Sequence, residues 1–327
     1  MPDSEDLTLR PSDDAVGVDI GGTKIAAGRV DGQGVVHEQV QRPTPPRTAP
    51  PRDVEDAIVA AVGELRVDSR APVGVGAAGF VNAAGRVVRF APHVSWREEP
   101  LADRLEARLG RPVHLENDAN AAAWAEYRFG AAQDEPRVLM VTVGTGIGGG
   151  LVYQGRLERG AQGMAGEFGH MVAVPSGRPC ECGNHGCWEQ YASGAAVRWE
   201  ARARLQRRSG PVSAWVRAGM GDPAAVTGER VSLLAQTGDP LAGEVFAAVG
   251  TWLGRGVADL VAALDPGVVV VGGGVAQAGE LLLEPARAAL GSTLSGRGYR
   301  ECPALVAGAV GPGAGLVGAA DLARWAG

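Results

Sequence analysis

Apolar residues fall in short runs punctuated by glycine turns through the first third of the chain. Ala15–Ile20 (AVGVDI) reads as a buried strand, and Lys24–Val30 as its hairpin partner across Gly21-Gly22. The proline-rich stretch 42–52 (RPTPPRTAPPR) reads as a loop, because a strong helix follows it at once. In that helix Val54, Ala57, Ile58, Ala61, Val62 and Leu65 recur at helical spacing, with Asp53 placed as its N-cap. Strands are expected at Val73–Ala77, 86–90 and 112–116, and helices at Leu101–Leu109 and Asp118–Phe129, the last ending at Gly130 as a C′ residue.

A second strand–glycine–strand unit begins at Val138: VLMVTV, then GTGIGGG, then LVY. It shares the plan of VGVDIGGTKIAAG near the start, an apolar strand, a glycine turn carrying Thr, and an apolar strand. Beyond it the pattern predicts an Ala/Arg-rich helix over 195–208 and a long helix from Asp239-Pro240 to about Leu264. A strand at 268–271, the turn Gly272-Gly273-Gly274 and a closing helix over 314–326 follow. Two halves on one plan predict a duplicated α/β core with a cleft between two lobes. Residues 13–118 with 312–327 form the small lobe, and 119–311 the large lobe.

Composition narrows the classes. A formal charge of -6 argues against a nucleic-acid partner held by phosphate neutralisation. No apolar run approaches a membrane span, and the first dozen residues read as polar, acidic and disordered, with no secretory h-region. Free thiols without an export signal fit a reducing cytoplasm.

Candidate chemistry concentrates in two places. His170, Cys180, Cys182 and Cys187 put three thiols and an imidazole within a short stretch, the donor set of a closed tetrahedral zinc site. His185 is a rival ligand, a disulfide is the competing use of the thiols, and Cys302 reads as a buried thiol. Glu167 and Glu189 bracket the cluster, so a metal there would fix where both carboxylates point. The other place is the pair of glycine turns. Gly74-x-Gly76-x-x-Gly79 and Gly144-x-Gly146-x-x-Gly149 match a dinucleotide pattern, but strands rather than helices follow both, which excludes a Rossmann site. Such hairpins can still hold phosphates through backbone N–H groups. Gly21, Gly22, Thr23 and Lys24 would supply amides, a hydroxyl and an ammonium group, opposed by Gly144, Thr145 and Gly146 around a polyphosphate. Asp19 precedes the first turn inside an apolar strand. It needs a partner there, either a phosphate-bound Mg²⁺ or a core Lys or Arg.

The motifs VDIGGTK, LENDANAAAW, TVGTGIGGG, GEFGH and CxCGxxGCWEQYASG occur here in one order. Together with APHVSWREEPL and GLVGAADLAR they resemble the ROK (repressor, open reading frame, kinase) sugar kinases, and within them the ATP-dependent glucokinases of actinobacteria and related Gram-positive bacteria. The resemblance implies an actin-like (ribonuclease H-like) ATPase fold, with the sugar in the interlobe cleft and ATP along the glycine hairpins. It implies Asp118 as catalytic base and Asn117, Glu167, His170 and Glu189 as binders of sugar hydroxyls, with Gly79 nearby. It also implies His170, Cys180, Cys182 and Cys187 as zinc ligands, Gly272, Gly273 and Gly274 on the adenosine side, Mg²⁺ with the nucleotide, and a homo-oligomer, a dimer or tetramer. His93 stands where family glucokinases carry Asn near the sugar, which leaves another hexose open as substrate: N-acetylmannosamine, N-acetylglucosamine, mannose or fructose. The family also contains DNA-binding repressors, but only about fourteen residues precede the first strand here. A non-catalytic sugar-binding regulator is a further reading, and polyphosphate could stand in for ATP as phosphoryl donor.

Overall fold

The computed structural model describes residues 14–92, 94–207 and 213–325; the stretch that reads as disordered, and His93, lie outside the described residues. In chain order the first half comprises β1 (Ala15–Ile20), β2 (Lys24–Val30), β3 (Val36–Pro43), α1 (Pro51–Gly63), β4 (Val73–Ala77), β5 (Phe80–Val81) and β6 (Val88–Phe90). It continues with β7 (Arg97–Glu99), α2 (Leu101–Leu109), β8 (Val113–Asn117) and α3 (Asp118–Phe129). The second half comprises β9 (Arg137–Val143), β10 (Ile147–Tyr153), β11 (Arg156–Leu157), α4 (Glu189–Ala192), α5 (Gly194–Arg207) and α6 (Ser213–Arg217). After these come α7 (Gly228–Gln236), α8 (Pro240–Leu264), β12 (Val268–Gly272), α9 (Glu280–Thr293), β13 (Ala304–Ala307) and α10 (Ala314–Trp325).

These elements make two compact units. One holds the chain up to Gln133, the excursion Leu157–Ala165 and the segment from Gly313 onward; the other holds Asp134–Arg156 and Gly166–Pro312. The first unit thus runs past the Asp118/Ala119 division expected from the sequence. The reason is packing: α3 lies on α10, where Trp124 Nε1 donates to the fully buried Asp321 carboxylate (2.8 Å) and Arg128 pairs with the same oxygen (3.1 Å).

Each unit is built on a five-stranded sheet, and the two sheets repeat one order: β3-β2-β1-β4-β8 and β11-β10-β9-β12-β13. In both, the opening hairpin is antiparallel (β1 with β2, β9 with β10) and the following pairings are parallel (β1-β4-β8, β9-β12-β13). This is the duplicated plan that the glycine hairpins predict, and it is the actin-like arrangement. β1, β4 and β12 are almost wholly buried, which is why they read as continuous apolar runs.

Sequence and structure differ chiefly at edges and caps. β3, whose end falls in the stretch that reads as loop, lies at the sheet edge with alternating half-buried and exposed polar residues. α1 starts at Pro51 with Pro50 as N-cap, so Asp53 sits in the first turn and does not cap it. The strands expected at 86–90 and 112–116 run over Val88–Phe90 and Val113–Asn117, and Gly130 follows α3 at φ -117°, outside the left-handed region. Cys302, expected to be buried, is exposed in the segment leading into β13. α8 is long and apolar enough by length and composition to cross a membrane, contrary to the expectation that no run approaches that. Most of its length is buried in the second unit's core, where Val245, Phe246, Val249, Leu253 and Val257 pack against Leu282, Leu283 and Ala286 of α9. That burial makes it a core helix.

In the first unit α10 presses on the sheet backbone itself. A Cβ on Gly74 of β4 would fall inside the Ala319 carbonyl oxygen. Gly74→Ala is therefore expected to cost about 1–3 kcal/mol by overpacking, lowering Tm by roughly 3–10 °C. Calorimetry that finds an unchanged Tm would refute so close a seat for α10.

Candidate active site

In the first unit the carboxyl ends of β1, β4 and β8 converge. Their parallel register sets Asp19 beside Gly76, Gly76 beside Glu116, and Ala77 beside Asn117. The Asp118 backbone lies beside Gly76: a Cβ built there would sit 3.7 Å from the Asp118 Cα, in ordinary contact. Asp19 and Asp118 are thus gathered where the strands of an open parallel sheet present their carboxyl ends, the usual place for a ligand in such sheets.

Two adjacent residues divide the work at the start of α3. Asn117 is the N-cap: its Oδ1 accepts from the amides of Ala119 (2.9 Å) and Asn120 (3.0 Å), and its Nδ2 donates to Gly79 O (3.1 Å). Capping falls to Asn117, which leaves Asp118 as the first helical residue, with one oxygen accepting from the Ala119 amide (2.9 Å). The helix N-terminus favours an ionised carboxylate at that position. Asp19 differs. Burial pushes its carboxyl up from the usual range, only partly opposed by the Lys24 charge, and no ion pair to it is formed among the described residues. The core Lys or Arg partner that the sequence allows for is absent among them.

The first glycine turn closes through the Gly21 amide donating to Lys24 O (3.0 Å), leaving Gly22, Thr23 and Lys24 exposed. Thr44, which sequence reasoning misses within the proline-rich stretch, braces it. Its hydroxyl donates to Gly21 O (2.7 Å) and its amide to Thr23 O (3.1 Å). The available signal is a lone Thr immediately after a strand.

In the second unit the matching turn, Gly144-Thr145-Gly146, is backed by the start of α5. The Gly194 and Ala195 amides donate to the carbonyls of Gly144 (2.8 Å) and Thr145 (3.2 Å), so the turn satisfies N–H groups that a helix start leaves orphaned. The Gly272–Gly274 turn lies alongside. Gly273 (φ +89°) is pressed against the Val143 backbone, and Gly194 faces both Gly144 O and Val275. The two glycine turns of the second unit are thus neighbours.

The metal-competent residues also come together. His170, at the end of a single turn (Phe168–His170), joins Cys180, Cys182 and Cys187, with all four ligand atoms within 4.8 Å of one another. Cys182 Sγ lies 3.6 Å from Cys187 Sγ, and Cys180 Sγ 3.7 Å from His170 Nδ1. A tetrahedron with zinc–sulfur bonds of ~2.3 Å has edges of roughly 3.8 Å, so the donor set fits zinc. Those spacings are far too long for a disulfide, and all four cysteines are free thiols. His185 is not in the group.

Nδ1 of His170 faces the thiols, while Nε2 lies on the side of Glu167 (3.9 Å). Burial raises the Glu167 pKa; the nearby His170 opposes this and Glu189 adds to it. Glu189, the first residue of α4, touches three parts of the site. One oxygen lies 3.0 Å from Cys180 Sγ and 3.8 Å from His170 Nδ1, and the other accepts from the Ile147 amide at 3.4 Å. A Cβ on Gly146 would meet that second oxygen, so a side chain there would displace the Glu189 carboxylate. The metal loop and the second glycine turn therefore share one carboxylate.

The chain is similar to known proteins. The family model described as ROK family matches residues 15–326. The chain is 45% identical over 310 residues to a glucokinase of Streptomyces coelicolor, covering 94% of this chain and 97% of that one. It is 36% identical over 317 residues to an N-acetylmannosamine kinase of Salmonella typhimurium, with the same two coverages, 94% and 97%. Among solved structures it is similar to a ROK family glucokinase from Streptomyces griseus in complex with glucose and AMPPNP. There the TM-score is 0.87 and the identity 46%, over 95% of this chain and 99% of that one.

Metal analysis of the purified protein is expected to find a single zinc ion per chain. Cys187→Ser, which removes a buried ligand, should lose it and lower the Tm. Full metal retention by Cys187→Ser would remove that residue from the ligand set.

Proposed function

The chain belongs to the ROK family, and from that membership we propose that it is an ATP-dependent glucokinase, moving the γ-phosphoryl group of ATP to the 6-hydroxyl of glucose. The observation that carries this reading is the gathering of Asp19 and Asp118 around Gly76 at the carboxyl ends of β1, β4 and β8. The similarity to glucokinases, one of them solved with glucose and an ATP analogue, supports it.

Asp118 acts as general base. A sugar hydroxyl is a poor nucleophile, and the carboxylate accepts its proton as the new bond to phosphorus forms. Its place in the first turn of α3 suits a negative charge, and the Ala119 amide holds one of its oxygens and so orients the carboxylate. Asn117 has spent its oxygen on capping and one N–H on Gly79, so its remaining N–H is the group offered to a sugar hydroxyl. In the second unit Glu167, Glu189 and Nε2 of His170 bind further hydroxyls. The first turn (Gly21, Gly22, Thr23, Lys24) and the second (Gly144, Thr145, Gly146) hold the phosphates, and Gly272–Gly274 the adenosine side. Phosphoryl transfer then rests on positioning and charge stabilisation.

Asp19 is the residue offered to Mg²⁺, directly or through water; its half-buried carboxyl, without an ion-pair partner among the described residues, supports this. Zinc would be held by His170, Cys180, Cys182 and Cys187 and would supply rigidity alone, since four protein ligands leave no open position for a reacting water. A metal held there would orient His170, whose Nδ1 faces the thiols, and would leave Nε2, on the Glu167 side, for the sugar. The net charge of -6 and the free thiols support a cytoplasmic enzyme without a nucleic-acid partner. The family resemblance supports a homo-oligomer.

A second reading, phosphorylation of N-acetylmannosamine, is favoured by the similarity to the Salmonella enzyme. A panel of glucose, mannose, fructose and the two N-acetylhexosamines against ATP, GTP and polyphosphate decides, with the highest kcat/KM expected for glucose with ATP. Higher efficiency with N-acetylmannosamine would transfer the assignment, and silence toward every sugar would leave a sugar-binding regulator.

Two further outcomes follow from the residue roles. Asp118→Asn should lower kcat by roughly 10²- to 10⁴-fold while glucose binding, followed by calorimetry, persists. A variant that keeps most of its kcat would exclude Asp118 as base. Stripping the zinc should weaken sugar affinity more than nucleotide affinity, and equal losses of both would argue against the shared imidazole.

A further inference from the structure

A charged network underlies the proposed base in the first unit, and none of the roles above uses it. Glu116, the residue before the Asn117–Asp118 pair, is 3% exposed. A buried carboxylate is costly to desolvate unless it is fully paired, and an apolar residue would serve strand β8 better at this position. Its two oxygens are instead assigned separately. Oε1 accepts from the Asn117 amide (3.1 Å) and from Nδ2 of the buried Asn120 (3.0 Å), both at the opening of α3. Oε2 takes two nitrogens of Arg159, each at 2.7 Å. Arg159 arrives on the excursion Leu157–Ala165, which leaves the second unit after β10 to join the first. That excursion is itself anchored: the Ala165 amide donates to Arg159 O (3.1 Å), and Gly163 lies against the backbone of Val81, Asn82 and Ala83.

We propose that Arg159 is a positioning residue for phosphoryl transfer, acting through Glu116 to hold Asn117 and Asp118 in their working orientation. The inference rests on the sugar-kinase reading above. The logic is geometric. Asn117 orients its side chain by capping Ala119 and Asn120, so its aim depends on where the first turn of α3 sits. Glu116 ties that turn down at the Asn117 amide and at Asn120, and Arg159 holds Glu116 in the rotamer that does so. Without the guanidinium, Oε2 becomes an unpaired buried charge, and the carboxylate must turn toward solvent or take up a proton. Either change releases the turn that carries the base. Arg is suited to this because its rigid fork directs two N–H groups at one acceptor, which a lysine ammonium on a flexible stem does not reproduce.

Kinetics of Arg159→Gln, Arg159→Lys, Glu116→Gln and the Glu116→Gln/Arg159→Gln pair test the proposal on the full-length chain. Arg159→Gln is expected to lower kcat by about 10²-fold, the scale of a misplaced reacting group, and to raise the sugar KM while leaving the ATP KM unchanged. Arg159→Lys should recover part of the loss. The double variant should outperform Arg159→Gln, because no carboxylate is then left buried without its cation. Hydrogen exchange at the amides of Asn117, Ala119 and Asn120 should quicken in Arg159→Gln. A fall in kcat that tracks the folded fraction, with both KM values unaltered, would reduce the pair to a structural strut and overturn the proposal. Unchanged exchange at those amides overturns it as well, whatever the activity. Failure of the kinase reading is seen separately, as a wild-type chain that phosphorylates no sugar.

Discussion

The site depends first on the parallel register of β1, β4 and β8. Backbone hydrogen bonds between these strands put Asp19, Gly76 and Glu116 in one row and end all three strands at the same level. Beneath that row α10 packs against bare backbone at Gly74, and the opening of α3 lies in contact with Gly76. Small residues beneath the site thus do as much as the charged ones within it. They bring two carboxylates to the strand ends without a shell of side chains between them. In the second unit β9 and β12 likewise end in glycine turns, and α5 supports the one after β9.

The parts of this architecture legible in the sequence are those whose signal is local. β1, β4 and β12 are buried on both faces, so they read as unbroken apolar runs. α2, α3 and α8 carry apolar positions at helical spacing with recognisable ends. The glycine hairpins betray the duplication because each consists of neighbouring residues. The metal cluster is legible for the same reason, three of its four ligands lying within one short loop. Spacing does not settle the choice between His170 and His185, since either imidazole can reach the thiols along the chain; that choice needs the family resemblance.

What the sequence conceals is held by distant partners. Thr44 supports a turn 23 residues before it, and Arg159 meets Glu116 across 43 residues. Neither separation leaves a periodic trace. β3 is hidden by its edge position, where exposure removes the apolar alternation that marks a strand. Asp53 imitates an N-cap because acids favour both the cap and the first turn, while proline at the start of α1 has already fixed its beginning. The exposure of Cys302 is likewise unreadable, because a lone thiol carries no pattern.

The assignment of α10 to the first unit has a consequence for how this protein is made. The core beneath Asp19 and Asp118 is closed by residues 314–325, yet the strands it covers are the earliest in the described chain. A ribosome adding roughly 5–20 residues per second delivers β1 and β4 well before the helix that seals them. During that interval the glycine-lined face of the sheet stays open to solvent. The contiguous stretch from Gly166 to Pro312 can meanwhile pack around α8. Synthesis order thus delivers every element of the later unit before the helix that completes the earlier one.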